Sequence, residues 1–184
     1  MDPHALAYDL TLIPSIVMAI TVHEFAHAWT ALQCGDTTAY HAGRVTLNPL
    51  AHLDPLGTLL FFLVGFGWGK PTPVNVKAMR HPRANLVVSA AGPLSNLLLA
   101  ALAGFVFRAP GVMAWLDALG AGTGARLFVP VFVYMNLILA FFNLLPLWPL
   151  DGSHVVENLL PVNQAFQFKR FGTAYGTFLL LGII

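Results

Sequence analysis

The chain has 184 residues, of which 57% are hydrophobic and only 9% are charged, whereas soluble domains carry about a quarter charged residues. This composition excludes an ordinary water-soluble globule and indicates an integral membrane protein. The formal net charge of +1 gives no sign of a polyanionic partner, so we expect no nucleic acid, and the single cysteine excludes an intrachain disulfide.

The N-terminal part is predicted to contain one membrane span followed by a short β-hairpin. Residues 6–33 are apolar over a length that can cross the hydrocarbon core, and Gly35 is a typical helix stop. Residues 36–55 are polar, β-branched and rich in turn residues, which favours a hairpin at 36–48. The free edge of such a hairpin, or of the apolar segment at 55–69 that follows it, could offer a partner strand to an extended peptide.

The next apolar segment, residues 55–69, is too short to span a membrane. It is apolar for about 14 residues, against roughly 20 for a crossing helix, and glycines including Gly65 interrupt it. We therefore expect a re-entrant or interfacial element. Residues 36–83 as a whole are predicted to form one membrane-associated hairpin and re-entrant region.

The remainder of the chain predicts three further spans, at 84–107, 126–147 and 164–184. An amphipathic stretch lies between the last two. The predicted fold class is an all-α polytopic membrane protein that forms a single integral-membrane domain over residues 1–184. The last apolar run stops abruptly at Ile184, which is compatible with a natural chain that continues.

The positive charges of the loops predict which helix ends face the cytoplasm. If residues 55–69 dip into the membrane without crossing it, seven lysines and arginines lie on one side and two on the other. If the segment crosses, the split is six to three, so the first arrangement follows the positive-inside rule better. It places the end of the first span, the start of 84–107 and the end of 126–147 at one depth on the cytoplasmic side.

Three ionisable residues, His23, Glu24 and His27, interrupt the first span. Such side chains cost a few kcal/mol at membrane depth, so they indicate a functional site. The histidines are four residues apart and share one helical face, from which two imidazoles can bind one metal ion. Glu24 then occupies the general-base position of the H-E-x-x-H arrangement of zinc peptidases. The alternative is that both histidines are core residues bonded to backbone carbonyls.

A catalytic zinc needs a third protein ligand, and Asp151 is the acidic residue that closes a long apolar span at the predicted depth. Pro146 and Pro149 must end the preceding helix, and Gly152 is expected to permit a sharp turn that aims the carboxylate inward. The alternative is that Asp151 is only the N-cap of the following helix, and both roles are compatible.

Two asparagines and one loop carry weaker signals. Asn143 is interpreted as a donor to the oxyanion of a tetrahedral intermediate, with capping of backbone carbonyls as the alternative. Gly92 suggests close helix packing or a kink, and Asn96 of the same motif either positions substrate or holds its helix against a neighbour. His52 and Asp54 are expected to fix the turns of their own loop, with contact to the metal site as the alternative.

These motifs resemble the site-2 protease family of intramembrane zinc metalloproteases. The resemblance rests on HEFAH at 23–27, AGPLSN at 91–96 and NLLPLWPLDG at 143–152, in that order and in three successive spans. The stretch GRVTLNPLAHLDPLGTL at 43–59 is similar to the compact bacterial branch, and no stretch is long enough for a PDZ or C-terminal regulatory domain.

The resemblance implies one zinc ion per chain held by His23, His27 and Asp151, with Glu24 as the base, in a core of three spans. It also implies cleavage of transmembrane protein substrates in or near the bilayer, and a site near the cytoplasmic face of a bacterial plasma membrane. The alternatives are a divalent-cation transporter that uses the same ligands, and another membrane peptidase with Glu157 as third ligand. Substrate identity, gating and oligomeric state are not encoded in any visible motif.

Overall fold

Eight helices form most of the molecule over the residues that the computed structural model describes, which are 3–64 and 67–183; for residues 3–9 and Phe62 only the backbone is described. The helices are α1 Pro3–Gln33, α2 Thr38–His41, α3 Pro55–Val64, α4 Ala84–Arg108, α5 Val112–Ala118, α6 Gly122–Asn143, α7 Asp151–Leu159 and α8 Val162–Leu181. Two single 3₁₀ turns lie at Pro49–Ala51 and Val76–Ala78.

Three of the described helices are long and apolar enough to cross a membrane, at Leu10–Gln33, Ala84–Arg108 and Gly122–Asn143. Helices α1, α4 and α6, which contain these stretches, pack against one another in all three pairs. The prediction of a mostly helical, multi-pass membrane protein is confirmed. Helix α8 covers most of the predicted fourth span, but Lys169 and Arg170 lie within it and its crossing stays a prediction.

The three long helices meet through small and polar residues. Ala19, Ala28 and Ala140 are completely buried, and so are Asn96 and Asn136, whereas many large apolar side chains point outward. In a bilayer, close packing and interhelical hydrogen bonds hold helices together, because the lipid is as apolar as leucine. Large apolar residues outside and small or polar residues inside are the reverse of the arrangement in a soluble protein, and they fit an exterior that faces lipid.

The helix ends that flank the core follow from single residues. Gly35 has φ of +101°, a left-handed conformation that suits glycine, and α1 ends just before it. Helix α6 ends at Asn143 rather than at 147, because Pro146 has no N–H with which to continue the helix. Asp151 is then the first residue of α7, as the amphipathic stretch predicts.

The predicted β-hairpin at 36–48 is wrong. The fully buried Asp36 carboxylate accepts hydrogen bonds from the Thr38 N–H (2.9 Å), the Thr38 hydroxyl (2.5 Å) and the Asn75 N–H (2.6 Å). These bonds start helix α2 and remove donors that a β-ladder would need. Among the described residues, the only β-type pairing is an isolated bridge between Leu53 and Gly69, so no hairpin edge at 36–48 is available to a substrate.

The segment that follows has the shape of a re-entrant element. Helix α3 has ten residues, or about 15 Å, which is half the thickness of the hydrocarbon core. The chain returns beside its start, since a Cβ atom on Gly57 would lie 2.2 Å from the Trp68 carbonyl oxygen. Gly65 and Phe66 lie outside the described residues, and the depth of this segment in a bilayer stays a prediction.

Candidate metal centre

Three potential ligand atoms converge between α1, α4 and the start of α7. His23 Nε2 and His27 Nε2 are 3.1 Å apart, and Asp151 Oδ2 lies 3.0 Å from the first and 3.2 Å from the second. The histidines are 5% and 7% exposed. The i, i+4 spacing on α1 puts both imidazoles on one face, and α7 delivers the carboxylate opposite them.

Hydrogen bonds on the other side of each ring fix the orientation of the imidazoles. His27 Nδ1 lies 2.7 Å from the Val88 carbonyl oxygen, which can only accept, so Nδ1 carries a proton. The Asn96 amide donates from Nδ2 to the Ala19 carbonyl (3.0 Å) and to Asn136 Oδ1 (2.8 Å), so its Oδ1 faces His23 Nδ1 at 2.6 Å and accepts from it. With Nδ1 bonded in this way, both Nε2 atoms face each other and Asp151, where neutral imidazoles can act as metal ligands.

Three unprotonated acceptors within 3.2 Å of one another repel, so either a proton or a metal cation must lie among them. Zinc bonds to nitrogen and oxygen of about 2.0–2.2 Å separate tetrahedral ligands by about 3.3 Å, close to the distances observed here. His23, His27 and Asp151 also form the one group of three such side chains able to hold a metal within the described part of the chain. The donor set and its spacing fit zinc.

Gly92 of α4 leaves the space that an ion needs. A Cβ atom at this position would lie 2.3 Å from His27 Nε2 and 2.6 Å from His23 Nε2. The sequence motif suggests close helix packing or a kink at Gly92, but the structure gives a more specific reason. Because Gly92 has no side chain, α4 leaves free space next to the ligand atoms.

The Asp151 carboxylate is placed by close packing of α7 rather than by an unusual backbone conformation at Gly152. Gly152 lies inside α7, and a Cβ atom there would be 2.2 Å from the Leu144 carbonyl oxygen. The N-cap position belongs to Leu150, so Asp151 does not cap the helix with its side chain. Glycine is required because the first turn of α7 rests directly on the backbone that follows α6.

Glu24 lies beside the metal ligands with one carboxylate oxygen already bonded. Its Oε2 accepts from the Thr72 N–H and from the Thr72 hydroxyl, both at 2.8 Å, and lies 3.9 Å from Arg44 Nη2. Burial lowers the pKa of Arg44, which the Glu24 carboxylate partly offsets. Sequence reasoning missed Thr72 and Arg44; the one available signal was an arginine inside the 43–59 stretch.

Comparisons with known proteins show the family of the chain. The model of peptidase family M50 matches residues 108–183. "Putative zinc metalloprotease YwhC" of Bacillus subtilis is 44% identical over 161 residues, which is 85% of this chain and 74% of that protein. This chain belongs to peptidase family M50.

Two more distant relatives carry names of the same kind. "Putative zinc metalloprotease Rip2" of Mycolicibacterium smegmatis is 32% identical over 84% of this chain, and "Putative zinc metalloprotease MJ0611" of Methanocaldococcus jannaschii is 26% identical over 83%. The chain spans 60% of the length of the first and 71% of the second. No solved structure matches the chain. The family expected from the sequence motifs is confirmed, and zinc is the metal that it implies.

Two other predicted residues of this M50 chain occupy different positions relative to the metal centre. Asn96 is completely buried and contacts His23 directly, and at the same time it ties α4 to α1 and α6. Asn143 donates from Nδ2 to the Leu139 carbonyl of its own helix (2.9 Å). Asn136, which sequence reasoning missed, completes the network around Asn96.

Residues that the sequence left open are held by their own loops. His52 is fully buried and its Nε2 donates to the Thr46 carbonyl oxygen (2.7 Å), while Asp54 Oδ1 accepts from the Gly57 N–H (2.8 Å) at the start of α3. These contacts are the expected turn-fixing ones. Glu157, the alternative third ligand, is paired with Lys169 Nζ at 2.9 Å on the α8 side of α7.

Proposed function

We propose that this M50 zinc metalloprotease hydrolyses peptide bonds within or next to transmembrane segments of membrane protein substrates. The observation that carries the proposal is the convergence of three ligand side chains next to Glu24: His23 and His27 lie on a helix long enough to span a bilayer, and Asp151 lies at the start of α7. A hydrolytic site so placed meets substrates that share the membrane.

In this proposal His23, His27 and Asp151 hold one zinc ion per chain. When bound, zinc acidifies a water molecule to a pKa near 7 and polarises the carbonyl of the peptide to be cleaved. Val88 and Asn96 keep the Nδ1 protons in place, so both Nε2 atoms stay available as ligands.

The chain's own acid–base group is Glu24. Its carboxylate takes a proton from water as the water oxygen bonds to the carbonyl carbon, and returns that proton to the amide nitrogen as the C–N bond breaks. Asn143 is proposed to donate an N–H to the carbonyl oxygen as negative charge develops there. One of its two amide hydrogens is used for Leu139, which leaves the other for substrate.

The proposed setting is the plasma membrane of a bacterium, with the site towards the cytoplasm. Support comes from the asymmetry of the loop charges, since Lys70, Lys77, Arg80 and Arg83 all fall between α3 and α4. The proposed partners are transmembrane protein substrates and the lipid bilayer that surrounds both enzyme and substrate.

The test is cleavage of a panel of single-pass transmembrane proteins by the purified protein in liposomes. We expect cleavage to stop with a zinc chelator, to return with added zinc, and to fall at least a thousandfold in Glu24→Gln. Glu157→Gln is the matched control and should cleave at the parental rate.

Each alternative has its own outcome in the same experiment. Chelator-resistant cleavage would exclude a metallopeptidase. Loss of cleavage in Glu157→Gln with activity kept in Glu24→Gln would favour a different ligand set. Zinc uptake into the liposomes without cleavage of any substrate would favour a transporter.

A further inference from the structure

The two oxygens of the Glu24 carboxylate have different surroundings. Oε2 accepts from the Thr72 N–H and faces the Arg44 guanidinium. The single proton of the Thr72 hydroxyl lies between two acceptors of the same residue, Glu24 Oε2 at 2.8 Å and the Glu24 backbone carbonyl oxygen at 3.0 Å. Oε1 has no such partner among the described contacts and lies on the side of Gly69, where an added Cβ atom would be 3.9 Å away. The carboxylate is therefore held by one end, and its other end faces a position that carries no side chain.

The residues around Thr72 are themselves held firmly. The Arg44 guanidinium is 4% exposed and donates to the carbonyl oxygens of Pro71 (3.3 Å) and Lys70, the two residues immediately before Thr72. The Lys70 N–H donates to the His52 carbonyl at 2.7 Å. Arg44 thus connects the backbone of 70–71 to the carboxylate that Thr72 binds.

We infer that Thr72 is a positioning residue for catalysis: it fixes Glu24 through Oε2 so that Oε1 is the oxygen that exchanges the proton, and Arg44 keeps Thr72 in place. The inference rests on the proposed proteolytic function. It assigns a role to an irregular segment, residues 69–72, that lies outside the three spanning helices.

The physical reason is that a glutamate side chain has several rotamers, whereas a general base must stay within about 2.6–3.2 Å of the proton that it takes. Hydrogen bonds to an ionised acceptor are stronger than neutral ones, so the two Thr72 bonds select one rotamer effectively. A displacement of the reacting group by about 1 Å costs up to about 100-fold in rate. Without the bonds from Thr72, Glu24 would still be a base, but its carboxylate would spend less time within hydrogen-bond distance of the proton that it takes.

The experiment compares Thr72→Val with Thr72→Ser in the purified protein. Valine has nearly the shape of threonine and lacks only the hydroxyl, so we expect kcat to fall about 10- to 100-fold while KM and the zinc content per chain stay within about twofold. Serine keeps the hydroxyl and should restore kcat to within about threefold of the parent. Thr173→Val is the matched control, because the Thr173 hydroxyl bonds only to its own helix and is exposed.

A second measurement does not depend on activity. If Thr72 and Glu24 are bonded, Glu24→Ala should speed hydrogen exchange of the backbone amides at 70, 72, 74 and 75, whereas Glu157→Ala should leave that exchange unchanged. Arg44→Lys should act in the same direction on kcat, because lysine cannot reach both the Lys70 and Pro71 carbonyls. This variant also keeps the inference testable if Thr72→Val does not fold.

Three results would overturn the inference. An unchanged kcat in Thr72→Val would show that the hydroxyl does not position the base. A raised KM with unchanged kcat would show that residues 69–72 bind substrate instead. A raised kcat would show that Thr72 blocks Glu24. If Glu24→Gln is inactive and Thr72→Val is fully active, only this inference fails, whereas an active Glu24→Gln removes the proposed function itself.

Discussion

The two halves of the site are built in different ways. The metal ligands lie on regular helices, His23 and His27 on α1 and Asp151 on α7. Glu24 is different, because its two partners, Arg44 and Thr72, lie in irregular segments between α1 and α4. Helix periodicity alone aligns two residues four positions apart. An irregular segment has no such periodicity, so other contacts must fix it.

Buried charges provide those contacts in the second half. Asp36 and Arg44 are 0% and 4% exposed, and each bonds to the extended stretch that ends near Asn75. Open backbone near a membrane must have its polar groups satisfied by protein or water. The metal half therefore depends on helix packing and the base half on two buried charged side chains, so substitutions in the two halves should have separable effects.

The largest expected effect is in the metal half, from Gly92→Ala. The new methyl would lie 2.3 Å from His27 Nε2, in the space between the ligand atoms and α4, so zinc binding should be lost along with all cleavage. Gly104→Ala on the same helix meets no atom within 4 Å and is the control. Zinc content per purified chain, measured by atomic emission, decides the result. Stoichiometric zinc in Gly92→Ala would show that the metal is elsewhere.

An intermediate effect is expected from Asn96→Leu, which removes the acceptor of the His23 Nδ1 proton. Partners of this kind typically contribute 10- to 100-fold to metal affinity. We expect a loss of that size in zinc affinity, measured by competition with a chelator of known affinity. Asn158→Leu is the control, because Asn158 donates only to His154 of its own helix. Equal zinc affinity in the two variants would contradict a positioning role for Asn96.

The smallest effect on the metal is expected from Asp36→Asn in the other half. The NH2 group of the new amide replaces one of the two accepting oxygens of Asp36, so either the Asn75 N–H or the Thr38 N–H loses its acceptor. This loss should cost about 1–3 kcal/mol of unfolding free energy. Zinc affinity at neutral pH should stay within about twofold, because no ligand or ligand partner moves. Thermal unfolding and zinc competition on the same samples check both statements. A large loss of zinc affinity would show that the halves are coupled.

Asp36 also predicts a pH dependence of stability. Burial raises its pKa, but the bonds from Thr38 and Asn75 outweigh burial, so the folded pKa lies below the ordinary value of 3.8. The carboxylate therefore stabilises the fold fully above about pH 4, and this contribution is lost as the pH falls through the folded pKa. The free energy of unfolding of the metal-free parent should decrease as the pH is lowered below about 4. The decrease should be smaller in Asp36→Asn. Asp117→Asn, at an exposed pair with Arg126, should differ little from the parent.

The two halves of the site also differ in how well the sequence predicts them. His23, Glu24, His27 and Asp151 were recognisable because few residue types bind zinc and because ionisable residues are rare in apolar spans. The hairpin at 36–48 was wrong because strand propensity is a weak signal that one buried carboxylate, Asp36, overrides locally. Gly92 was noticed but explained incompletely, since only the distances show that it faces the ligands. Thr72 carries no motif that could mark it in advance.

The most direct measurement is X-ray absorption at the zinc edge of the purified protein. A zinc ion held by His23, His27 and Asp151 should show two imidazole nitrogens and a carboxylate oxygen at about 2.0–2.2 Å and no sulfur at about 2.3 Å. In Asp151→Ala the bound zinc should be lost. A sulfur neighbour, which only Cys34 or a methionine could supply, or a spectrum unchanged in Asp151→Ala, would contradict a metal centre shared by α1 and α7.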